Sequence, residues 1–167
     1  ADTPSGNATN QVYGLINIDE VLYTARYNGT DTIQLRTATG NLLSNNWSNS
    51  AGGSVSSAAA PRALLKWANS AGVVQPFLFT EEGIYRYTGS AMVQEVSWIY
   101  KDTNTGKFPQ VWQPPDLGVD FLVVPNGPNL WAFYWDSNAR LQAKNISPIF
   151  RTQGLPTFRQ GRILALA

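Results

Sequence analysis

The sequence predicts an all-β domain of antiparallel strands in propeller-like repeats of about 46–51 residues, with a closed β-barrel or a β-sandwich as the alternative. Three observations carry this expectation. Short runs rich in Val, Ile, Thr, Tyr and Trp recur along the chain. Clusters of Asn, Asp, Gly and Pro separate them. Three similar units begin at Ile33, Ile84 and Leu130, spaced by 51 and 46 residues, and each follows an apolar extended run and a turn.

Residues 1–11 are polar and rich in turn formers, so they read as a flexible N-terminal arm preceding a single β domain over 12–167. Val12 to Ile18 begins the strands, and Glu20 to Tyr27 continues them with Val21, Tyr23 and Ala25 on one face. Asn28-Gly29 is a tight-turn signal, because both residues tolerate positive φ. Thr32 to Thr37 reads as a strand, returned by Thr39-Gly40-Asn41 toward Leu42-Leu43. Residues 44–60 are almost all Ser, Asn, Gly and Ala and read as loop. Ala63 to Trp67 reads as a strand, with a short helix over Ala63 to Ala68 as the competing assignment, and Asn69 to Gly72 returns the chain into Val73 to Thr80. Ile84 to Thr88 and Met92 to Tyr100 follow as strands, and Lys101 to Lys107 as loop. Pro109, Pro114 and Pro115 keep the next stretch from forming a long central element, since proline lacks a ladder donor. Val119 to Val124, Leu130 to Trp135 and Arg140 to Asn145 are the next strands, joined by turns at Pro125 to Asn129 and Asp136 to Asn138, and Ile163 to Ala167 reads as a final strand.

Composition narrows the function classes. With no His and no Cys, the usual Ser-His-acid and Cys-His nucleophiles, disulfides, Cys/His zinc and His-ligated metals are excluded. No GxGxxG, Walker-type or EF-hand spacing occurs, so no cofactor is expected. Charged residues make up only 14 % of the chain, so solubility rests on Asn, Ser, Thr, Gln and Gly. That surface, a start at Ala1-Asp2-Thr3-Pro4 that reads as processed, and acceptor triplets at Asn7, Asn28, Asn46 and Asn145 point to a secreted, extracellular glycoprotein. No apolar run is long enough to span a bilayer as a helix. Residues 1–136 carry a net charge of −4 and residues 137–167 a net charge of +5. The five cations of that last segment are interspersed with Ile149, Phe150, Leu155, Phe158 and Ile163, a pattern of packed structure rather than of a nucleic-acid-binding stripe.

The unit from Leu130 through Tyr134 and Asp136 to Gln142 resembles the inner hairpin of blades in the fungal and bacterial fucose-binding propeller lectins. Asp136 and the strand rhythm match that pattern, whereas Trp131 stands at the position of the sugar-binding Arg and Ala143 at that of the Glu. The unit from Ile84 to Trp98 supplies Arg86, Glu95 and Trp98 in the family's order, with Arg86 one position late. The unit at Ile33 matches less, with Arg36, Asn45 and Trp47 as its polar and aromatic members. The resemblance covers about a third of the chain and implies a lectin-like protein binding glycans or glycoproteins. It also implies a homo-oligomer, because three units are too few to close a propeller alone.

The expected ligand-binding residues are therefore Arg86, Glu95, Trp98, Trp131, Tyr134 and Asp136: flat rings to stack on a sugar's apolar face, and polar groups to bond its hydroxyls. Trp131, Phe133 and Trp135 alternate with Leu130, Ala132 and Tyr134, so the two sets take opposite faces. Two other classes compete. One is a non-catalytic structural or protein-interaction protein. The other is a glycoside hydrolase using two of Glu81, Glu82, Glu95, Asp116, Asp120 and Asp136, which would have to sit about 5–10 Å apart.

Overall fold

A computed structural model describes residues 11–39, 47–97, 109–113, 119–126 and 129–146. These contain twelve strands and no helix. The first sheet comprises β1 (Gln11–Ile18), β2 (Val21–Tyr27), β3 (Thr32–Thr39) and β4 (Ser48–Ser56). The second comprises β5 (Ala63–Ala68), β6 (Val74–Phe79), β7 (Gly83–Tyr87) and β8 (Met92–Ser97). The third comprises β9 (Gln110–Trp112), β10 (Phe121–Asn126), β11 (Asn129–Trp135) and β12 (Leu141–Asn145). Each is an antiparallel meander of four consecutive strands, and none closes into a barrel.

The repeat is genuine at the level of topology. Ile33, Ile84 and Leu130 each lie in the third strand of their sheet and pair back across the preceding turn, with Tyr27, Phe79 and Pro125 respectively. The first strands β1 and β5 touch, β5 meets β9, and the fourth strands β4 and β8 touch. Equivalent strands are thus neighbours from one sheet to the next, as in adjacent propeller blades.

The core lies between the sheets. Ala25, Tyr27, Ile33, Leu35 and Val55 of the first sheet pack on Leu64, Leu78 and Tyr87 of the second. On its other face the second sheet sends Trp67, Phe77, Phe79 and Ile84 against Leu122, Val124 and Phe133 of the third. A middle sheet buried on both faces needs an unbroken apolar run rather than alternation, and Phe77, Leu78 and Phe79 in β6 are all at most 1 % exposed. Phe121, Ala132 and Ile146 form a smaller cluster on the opposite face of the third sheet.

Several expectations change. Residues 44–60 are not a loop throughout, since Ser48–Ser56 is the outer strand of the first sheet. Its Ser and Gly residues carry no apolar period, and its place comes from pairing with β3, from Val55 in the core and from the approach of Gly52 to the second sheet. A Cβ on Gly52, which has φ +61°, would overlap the Ser90 carbonyl. The strand read at Ala63 to Trp67 is found as Ala63–Ala68, and the competing helix is not. Among the described residues the proline-rich stretch forms no long central element, as expected: β9 is three residues long and at a sheet edge. Gln11 belongs to β1 rather than to the arm. The remainder of the arm, the loop at Lys101 to Lys107 and the strand at Ile163 to Ala167 lie outside the described residues. Among the described residues, no helix is long and apolar enough to cross a membrane.

Candidate functional site

The polar groups of interest sit on the face of the second sheet that is turned toward the third. Cross-strand partners share a face in an antiparallel sheet. Trp67 pairs with Gln75 and Phe77 pairs with Arg86, so these four point the same way, with the polar pair toward the end that carries the turns at residues 69–73 and 88–91. β8 brings Glu95 to them through an irregularity: Ile84 pairs with Val96 and Tyr85 with Gln94, which leaves Glu95 as the extra residue of a bulge.

The result is a chain of hydrogen bonds that runs from the β5–β6 turn across β6, β7 and β8. Arg86 Nε donates to Glu95 Oε1 at 2.6 Å, and Arg86 Nη1 donates to Gln75 Oε1 at 3.0 Å. Asn69 Nδ2 donates to the same Gln75 oxygen at 3.0 Å. Asn69 Oδ1 is held by the backbone N–H groups of Ala71 and Val73, so the orientation of both amides follows from their donors. The side chains of Arg86 and Glu95 remain 20 % and 15 % exposed. The contact uses one nitrogen and one oxygen and is not a closed bidentate fork.

Aromatic rings from both sheets adjoin this chain. Trp135 of β11 stacks on Trp67 with centroids 5.7 Å apart and an interplanar angle of 23°, and Trp67 meets Phe77 edge-on at 5.3 Å. Trp135 Nε1 donates to the Ala68 carbonyl at 2.9 Å and ties the third sheet to the end of β5. The Trp67 indole N–H is buried with no hydrogen-bond partner among the described residues.

The expected site residues divide. Arg86 and Glu95 come together as an ion pair. Trp131 is half-buried on the same side of the third sheet as Trp135, packed against the core shared with the second sheet. Tyr134 is on the other face of β11, with its ring 5.7 Å from Phe121, and so points away from Arg86. Asp136 holds the β11–β12 turn: Oδ1 accepts from the N–H groups of Asn138 and Arg140, and Oδ2 from Gln142. Those bonds, the Arg140 N–H first, hold its carboxyl below the usual carboxylate range. Trp98 lies outside the described residues, as do Asn7 and Asn46. Asn28 is exposed in its turn, whereas Asn145 is half-buried with its Nδ2 on Asn129 Oδ1 at 3.2 Å. Gln75, Asn69 and Trp135 complete the cluster without having been expected in it. Asn69 is marked in the sequence only as a turn residue, and nothing local assigns Gln75 or Trp135 to the cluster, since the β5–β6 register and the docking of the third sheet bring them there.

Trp112 is half-buried beside Phe121, and Asp120 accepts from Gln113. Among the described residues, no group of three or more acids is placed to hold a metal ion. The fold and this cluster define a protein of three repeated antiparallel sheets with a polar, tryptophan-flanked cluster between the second and third. No known protein family, characterised protein or solved structure matches the chain.

Proposed function

We propose that this chain is a secreted carbohydrate-binding protein whose site lies between the second and third sheets, at Arg86, Glu95, Gln75 and the Trp67–Trp135 stack. One observation carries the reading: Arg86 and Glu95 are fixed side by side yet keep bonding capacity on their outer atoms. Among the described residues, neither Arg86 Nη2 nor Glu95 Oε2 has a partner, and neither atom is buried. A donor beside an acceptor, with indole rings next to them, suits sugar hydroxyls and the apolar face of a pyranose. The resemblance of the unit at Ile84 to the fucose-binding propeller lectins points the same way.

The hydrolase reading has less support. Such an enzyme needs one carboxyl raised so that it can act as an acid. Among the described residues, the carboxyls that depart clearly from their ordinary range, Asp31 and Asp136, are both lowered, and the candidate Asp116 lies outside those residues. The extracellular setting belongs to the same proposal, with Asn28 the better exposed of the two described acceptor sites.

The test is a glycan array probed with the native protein and with Glu95→Gln. That substitution keeps an oxygen for Arg86 Nε and turns the free acceptor into a donor. The native protein is expected to bind a defined set of saccharides, and the variant to lose about tenfold or more, as when a buried polar contact is mismatched. Binding that the variant leaves unchanged would remove the site, and a native protein silent across the array would remove the function.

A further inference from the structure

We infer that Asn69 is the positioning residue of this site: as an amide in the β5–β6 turn it turns the Gln75 oxygen toward Arg86 and so fixes the guanidinium beside Glu95. The inference deepens the saccharide-binding reading and rests on it for its effect on a bound sugar. The order of control follows from the bonds. Asn69 Oδ1 accepts from the N–H groups of Ala71 and Val73 at 2.9 and 3.0 Å, which leaves Nδ2 as the atom that faces β6. Nδ2 can only donate, so Gln75 answers with its oxygen at 3.0 Å. The same oxygen accepts from Arg86 Nη1 at 3.0 Å, while Arg86 Nε reaches Glu95 at 2.6 Å. Gln75 Nε2 has no partner among the described residues.

The third sheet contains the same turn with the opposite polarity. Asp136 Oδ1 accepts from the N–H groups of Asn138 and Arg140, two and four residues on, as Asn69 Oδ1 does from Ala71 and Val73. In both turns a glutamine stands six residues on, and its cross-strand partner lies two residues before the turn residue: Trp67 for Gln75 and Tyr134 for Gln142. The difference is in the second atom of the turn side chain. Asp136 offers an oxygen, Oδ2, and Gln142 answers with Nε2 at 2.9 Å. Asn69 offers a nitrogen, and Gln75 answers with Oε1. The choice of Asn or Asp thus sets which end of the glutamine amide faces the turn. At a third turn Asn28 has Gln34 six residues on but spends its Nδ2 on Asp31, and Gln34 bonds the Leu35 and Ser50 carbonyls and the Ser54 hydroxyl instead. In Asn69→Asp a carboxylate oxygen would replace Nδ2 opposite Gln75 Oε1, and Gln75 would present Nε2 in the manner of Gln142. Arg86 Nη1 then faces a donor and loses the acceptor that holds it.

Nuclear magnetic resonance on the folded protein, without sugar, reads the amide itself. In Asn69→Asp one Gln75 Nε2–H is expected to move downfield and to exchange with solvent more slowly than in the native protein, because it now bonds a carboxylate. The unfolding midpoint is expected to stay near the native value, since Asp136 shows that an aspartate closes this turn. Asp136→Asn is the reciprocal variant, in which Gln142 is expected to lose the protected Nε2–H that the native protein has. Gln75 signals unchanged in Asn69→Asp, or Gln142 signals unchanged in Asp136→Asn, overturn the inference. Titration calorimetry with the strongest array ligand reads the consequence for binding. Asn69→Asp is expected to weaken the sugar about fivefold or more, and to add nothing to the loss in Gln75→Ala, because its effect passes through Gln75. Losses that add in the double variant overturn the positioning role and leave saccharide binding standing. A native protein that binds no sugar removes the underlying function instead, and the amide signals then decide by themselves whether Asn69 orients Gln75.

Discussion

Asp136 and Asn69 do the same work in different sheets. Each accepts the N–H groups two and four residues on, and each donates its own N–H to the carbonyl four residues on. Both turns require a left-handed residue at the fourth position, which is Gly72 with φ +78° in one and Ala139 with φ +60° in the other. An alanine held there costs about 1–2 kcal/mol relative to the right-handed region, whereas glycine does not. Ala139→Gly is therefore expected to raise stability by about 1 kcal/mol in a denaturant titration. The carboxylate in that turn also sets a pH dependence. Because hydrogen bonds lower the Asp136 pKa in the folded state, the unfolded chain binds more protons below about pH 4, and the stabilisation is lost as pH falls through the folded value. Asp31 is lowered in the same direction, chiefly by the Asn28 side chain. The melting temperature is expected to fall as pH drops from about 5 to about 2, with a shallower fall in Asp136→Asn. These turns were legible in the sequence because Asn and Asp advertise them chemically.

Strands were legible where their own composition marks them, and not where a neighbour makes them. The alternation of Trp131, Phe133 and Trp135 with Leu130, Ala132 and Tyr134 is realised, with the first set toward the second sheet and the other toward Phe121 and Ile146. β4 was opaque, because a strand of Ser, Asn, Ala and Gly has no apolar period and is held by pairing on one side and a close docking contact. Tyr87 adds to that contact by donating across the sheet boundary to the Ala51 carbonyl at 3.0 Å. The candidate site shows the same division. Arg86 and Glu95 could be found by their order in a recognisable unit, but their direct bond depends on the β8 bulge, and Gln75 joins them through a register that no local signal reports. Gly52→Ala tests the docking of the first two sheets. Its Cβ would meet Ser90 backbone, which cannot move as a flexible side chain can. The substitution is expected to cost about 2 kcal/mol or more, read as an earlier unfolding midpoint.

At the scale of the whole molecule, three sheets share one topology but not one chemistry. The position two residues beyond the start of each repeated unit lies on the equivalent side of its sheet: Leu35 faces the second sheet, Arg86 the side turned to the third, and Ala132 the far face of the third sheet beside Phe121 and Ile146. The polar pair is thus confined to one of three equivalent places, and the first sheet uses its place for core packing. A repeat architecture with one differentiated interface is expected to bind about one saccharide per chain rather than one per sheet. The central claim is that this interface, through Arg86 and Glu95, is where the protein holds a sugar. Isothermal titration calorimetry with the strongest array ligand measures it most directly, since stoichiometry and site are read together. The expected result is about one ligand bound per chain, with affinity falling about tenfold or more in a folded Glu95→Gln protein. A stoichiometry near three, or an affinity indifferent to Glu95→Gln, would contradict it.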